Sequence, residues 1–178
     1  MSGIIFGGLV IPDSSITPAK LSQPLTLATA VNSTSGTSID FTGIPNWVKR
    51  ITIMFDRIST NTTAAALLVQ IGSGSISNTG YVSQPWTASA GSVVTSGFSI
   101  GGIGSPATNT LSGMTVLSLV GDNLWVLSSV IGFINISSVG WTSAGSSPEL
   151  SGALDRVRIT TVSGTAVFDA GTINILYQ

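Results

Sequence analysis

Alternation of apolar and polar positions is clearest between Ser38 and Arg57. From Ile51 to Phe55 the odd-numbered positions hold Ile or Phe, and the side chains of a strand alternate between its two faces. The spacing therefore predicts a strand whose odd-numbered residues face the core. Because Pro45 cannot donate a ladder hydrogen bond, we expect this strand to begin at about Asn46, after a short strand at 38–41.

Short strand-like runs separated by turn-forming residues make up most of the remaining chain. The two longest, 114–120 and 124–133, are joined by Gly121-Asp122-Asn123, a sequence that predicts a tight hairpin. Both runs are almost continuously apolar, which favours coverage on both faces of the sheet. Roughly nine or ten strands with frequent turns predict an all-β fold, an antiparallel β-sandwich of jelly-roll-like type.

The N-terminal part of the chain has a different pattern. An apolar run interrupted by glycines is followed by prolines at 12, 18 and 24, which predicts an extended arm over 1–31 ahead of a sandwich domain over 32–178. Exposed apolar side chains are poorly solvated, so we expect a partner to bury them. In the alternative interpretation, the run forms the first strand of the domain. The candidate anchoring residues are Ile4, Ile5, Phe6, Leu9, Val10 and Ile11.

Composition indicates a weakly charged surface. Charged residues make up only 7% of the 178 residues, against roughly 25% in typical soluble domains. In their place the chain has 28 serines and 21 threonines. Such a surface offers little electrostatic repulsion between molecules, so we expect the chain to associate with copies of itself or with a larger assembly.

Several classes of function are disfavoured by the same composition. A net charge of −1 leaves no basic stripe to bind a phosphate backbone, so we expect no nucleic-acid partner. The chain has no cysteine and no histidine, which removes thiolate nucleophiles, Cys-ligated zinc and the commonest general base. The apolar run at 4–11 is too short to cross a bilayer, so no membrane insertion is expected. No cofactor and no metal site is predicted.

Carboxylates are the remaining candidates for acid–base chemistry, as in glycoside hydrolysis. Four of them lie at predicted strand ends near the four arginines, where a chain this poor in charge is expected to form ion pairs. These four are Asp40, Asp56, Asp155 and Asp169. Structural pairing is the stronger interpretation, so we predict no catalytic residues and no enzyme activity.

The four tryptophans could pack in the core or stack on a sugar ring. Trp47 and Trp125 lie in predicted strands, which favours the core. Trp86 and Trp141 lie in predicted loops, with Tyr81 nearby. If the chain binds a glycan or a receptor, Tyr81, Trp86 and Trp141 are the candidate ligand-binding residues.

Three segments of the chain resemble a family of tailed-bacteriophage and prophage virion proteins of the tail fibre type. They are TSGTSIDFTGIPNWVKRIT at 34–52, LLVQIGSG at 67–74 and FDAGTINILY at 168–177. The segment SSITPAKL at 14–21 also resembles a short motif near the start of phage fibre modules. None of these segments marks a catalytic or binding residue.

The resemblance implies a virion protein, commonly a homo-oligomer and often a trimer, anchored by its N-terminal part and displaying a β-sandwich. Its implied partners are other virion proteins of the tail, collar or capsid, and a host surface glycan or receptor. The chain lacks the coiled-coil or β-helical shaft of a long fibre, so we expect a short tail fibre or a fibre-like decoration protein. The alternative is a receptor- or glycan-binding module of the phage adsorption apparatus.

Overall fold

The computed structural model describes the chain in segments, which are residues 3–6, 9–12, 17, 20–62, 65–86, 93–103, 110–134 and 140–178. Within these residues the fold is all-β, and two antiparallel sheets form a sandwich, which confirms the predicted fold class. The strands are β1 (Gly3–Phe6), β2 (Leu9–Pro12), β3 (Thr26–Leu27), β4 (Val31–Asn32), β5 (Ile39–Thr42), β6 (Arg50–Thr60), β7 (Ala65–Ser73), β8 (Ser75–Ile76), β9 (Val82–Trp86), β10 (Phe98–Ile103), β11 (Leu111–Gly121), β12 (Leu124–Phe133), β13 (Gly140–Ser146), β14 (Arg156–Thr161) and β15 (Phe168–Tyr177).

The larger sheet has the strand order β3-β15-β6-β11-β12-β13-β9, and β4 also pairs with β15. The smaller sheet has the order β10-β7-β14-β5, and β8 pairs with β7. At one edge of the large sheet, β9 places Pro85 opposite Ser143 of β13. At the other edge, β3 and β4 are only two residues long each.

The core lies between the two sheets, and β6 contributes to it as its alternation predicts. Ile51 and Ile53 are fully buried and Phe55 is nearly so. The strand begins at Arg50 and not at Asn46, because the Val48 N–H bonds the Pro45 carbonyl and closes a turn before it.

Both predicted core tryptophans pack inward, although only one of them lies in a strand. Trp125 on β12 is almost completely buried. Trp47 lies in the turn before β6, where it is half-buried and packs against Tyr177 with ring centroids 6.0 Å apart. The prediction of a strand position for Trp47 is wrong, and the prediction of core packing holds for both residues.

The hairpin between β11 and β12 confirms the predicted turn. Asp122 and Asn123 have φ angles of 47° and 61°, the left-handed pair that a two-residue hairpin turn requires. However, β12 alternates strictly, burying Leu127 and exposing Val126 and Val130. The prediction that both faces of these strands are covered is therefore wrong for the single chain.

The N-terminal residues do not form the simple extended arm that the sequence predicts. β1 and β2 pair with each other in a separate antiparallel two-stranded sheet, which we call the N-terminal hairpin. β3 and β4 pair with β15, and the Ser33 hydroxyl donates to the Ala170 carbonyl at 2.8 Å. Residues 26–31 therefore belong to the large sheet, and the sandwich begins earlier than the predicted boundary at 32.

Candidate functional site

Tyr81 lies in the core and not on a ligand-stacking surface. Its side chain is only 1% exposed, and its ring packs edge-on against Phe98 at 5.0 Å. The hydroxyl accepts from the Ile71 N–H at 2.9 Å and lies 2.9 Å from the Ser77 carbonyl, to which it can donate. Burial raises the pKa of Tyr81 to about 12. These contacts make Tyr81 a structural residue, which corrects its prediction as a ligand-binding residue.

Trp141 on β13 also packs inward. Its side chain is half-buried against the core and lies over Gly101, where an added Cβ would stand only 2.7 Å from the Trp141 Cγ. Gly101 has a φ of 129°, so both its conformation and the indole favour glycine at this position. The Trp141 Nε1 is buried and has no hydrogen-bond partner among the described residues. Trp141 is therefore partly engaged in core packing through its contact with Gly101.

The remaining predicted site residues are placed by their backbones only. Trp86 on β9 lies opposite Thr142, and its side chain is outside the described residues. The structure therefore does not bring Tyr81, Trp86 and Trp141 together on one described surface. The six candidate anchoring residues form three cross-strand pairs of the β1–β2 hairpin, and their side chains are also outside the described residues. These pairs are Ile4 with Ile11, Ile5 with Val10, and Phe6 with Leu9.

Three of the four predicted aspartates form ion pairs with arginine. The closest N–O distances are 2.7 Å for Arg158–Asp40, 2.7 Å for Arg156–Asp155 and 3.1 Å for Arg57–Asp56. The fourth, Asp169, accepts a short hydrogen bond from the Ser59 hydroxyl instead. Hydrogen bonding from Arg156, opposed by desolvation and helped by the Gly74 N–H, lowers the pKa of Asp155. The predicted pairing with arginine is therefore confirmed for Asp40, Asp56 and Asp155, whereas the described partner of Asp169 is a serine.

The described ranges hold neither of two further kinds of site. No group of three or more His, Cys, Asp or Glu residues stands there in an arrangement that could hold a metal ion. Across those same ranges, no helix has the length and apolar character needed to cross a membrane.

The outer side of the large sheet is its solvent-facing surface, which we call the open face. It is defined by three rows of cross-strand neighbours on β15, β6, β11, β12, β13 and β9. One outer row passes through Met54, Met114, Val130 and Thr142. Met114 and Val130 are 54% and 65% exposed, which is unusual for two neighbouring apolar side chains of long central strands.

The next two rows along the strands extend this apolar character. One row carries Leu27, Leu176, Thr52, Val116 and Ser128. The other carries Arg50, Ser118, Val126, Ser146 and Val82. Among the described residues of the three rows, Arg50 is the only one with a charge. The three rows therefore form an apolar and hydroxyl surface with Arg50 at one margin, and the exposed Asp56 follows Met54 on the same side of β6, just beyond the other margin.

The outer side of the small sheet has a different character. A groove of about 630 Å³ lies there, bordered by the turn at Gly74 and Ser75 on one side and by the turn at Ser163 and Gly164 on the other. Its lining includes polar side chains from β7 and β14. These polar lining residues include Gln70, Arg156, Arg158 and Thr160.

The groove was not predicted as a site, although part of its signal is present in the sequence. Arg156, Arg158 and Thr160 alternate with buried residues along β14, a pattern typical of a half-exposed strand. Gln70 lies in an apolar run, and its role depends on the pairing of β7 with β14. Only the sheet register could bring these residues together.

Comparisons with known proteins found no matching family model, no matching curated protein and no matching solved structure. The functional interpretation therefore depends on the two outer faces and on the sequence resemblance to phage fibre proteins.

Proposed function

We propose that this chain is a structural subunit of a bacteriophage virion, a short tail fibre or a fibre-like decoration protein that assembles as a homo-oligomer. The observation that carries the proposal is the open face of the large sheet, where Met114 and Val130 are exposed side by side. The exposed apolar side chains support self-association through this face. The sequence resemblance supports placing the resulting oligomer in a virion.

A second copy of this chain is the occupant that fits the open face best. Burial of apolar surface stabilises a contact by roughly 25 cal/mol per Å². Arg50 is the only charged residue described in the three rows, and the Asp56 carboxylate beside them is already paired with Arg57, so two such faces can meet with little unpaired charge to desolvate or repel. A charged partner would gain little from a surface with so few complementary groups.

The strand pattern supports the same conclusion. The runs at 114–120 and 124–133 have the apolar composition of strands covered on both faces, yet the single chain covers only one face. If an oligomer covers the outer face as well, the apolar composition of these strands matches an environment that is buried on both sides. A trimer is the assembly that the resemblance to fibre proteins implies.

The N-terminal hairpin is the candidate anchor to the rest of the virion. It pairs within itself and with neither sheet of the sandwich. Its sequence is apolar, so a partner surface would stabilise it.

Removal of residues 1–23 tests this proposal. The truncated chain keeps every strand from β3 to β15, so we expect it to fold and to retain its oligomeric state. We also expect it to disappear from purified virus particles, as measured by mass spectrometry of the particle fraction against the full-length chain. Incorporation of the truncated chain at the full-length level would contradict the anchoring role, and absence of the full-length chain from particles would contradict the virion proposal itself.

A further inference from the structure

The outer face of the small sheet carries a row of polar side chains on three neighbouring strands. Asp40 on β5 lies opposite Arg158 on β14, and Arg158 lies opposite Gln70 on β7. The Arg158 guanidinium donates two parallel hydrogen bonds, of 2.7 and 2.8 Å, to the two oxygens of the Asp40 carboxylate. Because this bidentate contact fixes the plane of the guanidinium, the row is oriented before any ligand arrives.

The Gln70 amide is also fixed. Its Nε2 donates to the Ser96 carbonyl at 2.8 Å, and the side chain is only 8% exposed. A carbonyl can only accept, so the bond to Ser96 determines which end of the amide is the nitrogen. These bonds use the Gln70 Nε2 and the Arg158 Nε and Nη2, so the Gln70 Oε1 and the Arg158 Nη1 are not engaged by them. A fixed acceptor and a fixed donor are thus left on neighbouring strands that line the groove.

Positive charge in the groove is largely compensated. The hydrogen bonds that Arg158 donates to the Asp40 carboxylate raise the pKa of Arg158, and those that Arg156 donates to Asp155 raise the pKa of Arg156. Each guanidinium is therefore a paired cation. A phosphate or another strong anion would have to compete with a carboxylate that already occupies two donors, whereas a neutral polar ligand would not.

We infer that this groove binds a neutral saccharide, with neighbouring hydroxyls of one pyranose ring placed between Arg158 and Gln70. A hydroxyl both donates and accepts, so one can accept from the Arg158 Nη1 while its neighbour donates to the Gln70 Oε1. The volume of about 630 Å³ lies within the range of roughly 300–1,000 Å³ for small-ligand sites. An extended peptide could not add here as a strand, because the floor is a sheet face and not an edge.

This inference does not depend on the proposed virion role. It also places the ligand away from the three aromatic residues that the sequence suggested. Thr160 lines the same groove, and its hydroxyl donates to the Thr37 carbonyl at 2.8 Å, which leaves its oxygen as a further acceptor.

Saturation-transfer NMR on the full chain with millimolar glucose, galactose and mannose tests the inference. We expect at least one of these sugars to bind. Arg158→Lys keeps the positive charge but loses the planar guanidinium with its several N–H donors, so we expect it to weaken sugar binding roughly tenfold. Gln70→Met keeps a similar volume and removes the acceptor, and we expect a loss of comparable size.

Arg57→Lys is the matched control, because it alters the exposed Arg57–Asp56 pair, which is not among the groove residues. Circular dichroism checks that each variant is folded, and binding by Arg57→Lys should equal that of the native chain. Failure of the native chain to bind all three sugars would overturn the inference, as would equal weakening by Arg57→Lys and Arg158→Lys. Tighter, salt-sensitive binding of glucuronate would also overturn it, since it would indicate an anion site. Sedimentation of the same samples reports the oligomeric state separately, so failure of this inference is distinguishable from failure of the structural role.

Discussion

The outer faces of the two sheets are built from the same kind of antiparallel ladder and differ in the chemistry that they present. On the open face of the large sheet, Met114 and Val130 stand side by side without any charged neighbour in their row. On the small sheet, Asp40, Arg158 and Gln70 form a row of oriented polar groups. The first surface gains free energy when water leaves it, and the second offers hydrogen bonds to a polar ligand.

The few charged side chains of this protein are distributed unevenly between the two sheets. Two of the three ion pairs that the structure describes, Arg158–Asp40 and Arg156–Asp155, have their arginines in the groove of the small sheet. The third, Arg57–Asp56, lies on β6 just beyond Met54, at the margin of the open face. The three rows of the open face are thereby left with Arg50 as their one described charge.

The largest expected effect comes from placing a charge on the open face. Val130→Lys should weaken self-association at least tenfold, because burying an apolar side chain of this size contributes about 1.5–3 kcal/mol and the ammonium adds a desolvation cost. Analytical ultracentrifugation over a range of concentrations measures this effect.

Val162→Lys is the control for that experiment. Val162 is a similarly exposed valine that lies at the groove of the small sheet. If Val162→Lys disrupts the oligomer and Val130→Lys does not, the assignment of the two faces is reversed.

A smaller effect is expected from Tyr81, the polar residue buried beneath these surfaces. Tyr81→Phe leaves the Ile71 N–H without its acceptor and should lower the free energy of unfolding by about 1–3 kcal/mol in urea denaturation. The folded-state pKa is raised to about 12 from an ordinary value of about 10, so the neutral phenol is the stabilised form. Its contribution is complete below about pH 10 and is lost as pH rises toward the folded value.

Tyr81→Phe should leave both association and saccharide binding unchanged. Loss of sugar binding with native stability would indicate that Tyr81 contacts a ligand after all. The comparison of the two outer faces would then have to include this residue.

The smallest effect concerns acid stability and the Arg156–Asp155 pair. The pKa of Asp155 is lowered in the folded state, so its contribution to stability is complete above the unfolded-state pKa of about 3.9 and is lost as pH falls through the folded value. Asp155→Asn should therefore be slightly less stable than the native chain near neutral pH, and the difference should vanish in strong acid. The effect is small because the pair is partly exposed and screened by solvent.

Denaturant titrations at several pH values measure this difference. Val130→Thr serves as the comparison from the open face, since it introduces no titratable group. It should keep the acid dependence of the native chain. An acid dependence that is unchanged in Asp155→Asn would contradict the assigned role of the pair.

Local signals allowed part of this fold to be predicted. The alternation from Ile51 to Phe55 and the turn at Asp122 and Asn123 depend on neighbouring residues, and the structure contains both. The two-residue strands β3 and β4 carry no periodicity that a pattern could detect. They form because β15 offers them a ladder.

The polar row of the groove could not be predicted from local sequence. Asp40 and Arg158 are 118 positions apart, and their contact depends on the register of β5 with β14. Tyr81 was also misassigned for a physical reason. It precedes β9 in a segment with turn-forming residues, and only the three-dimensional fold brings its hydroxyl to Ile71.

Pro85 in the edge strand β9 has a consequence for how copies of the chain can meet. A proline has no amide hydrogen, so β9 cannot offer an uninterrupted row of donors to a strand from another molecule. At the opposite edge, the two-residue strands β3 and β4 present too little backbone for a long ladder. Growth of the large sheet into a continuous intermolecular sheet, the route to fibrils, is thereby hindered at both margins.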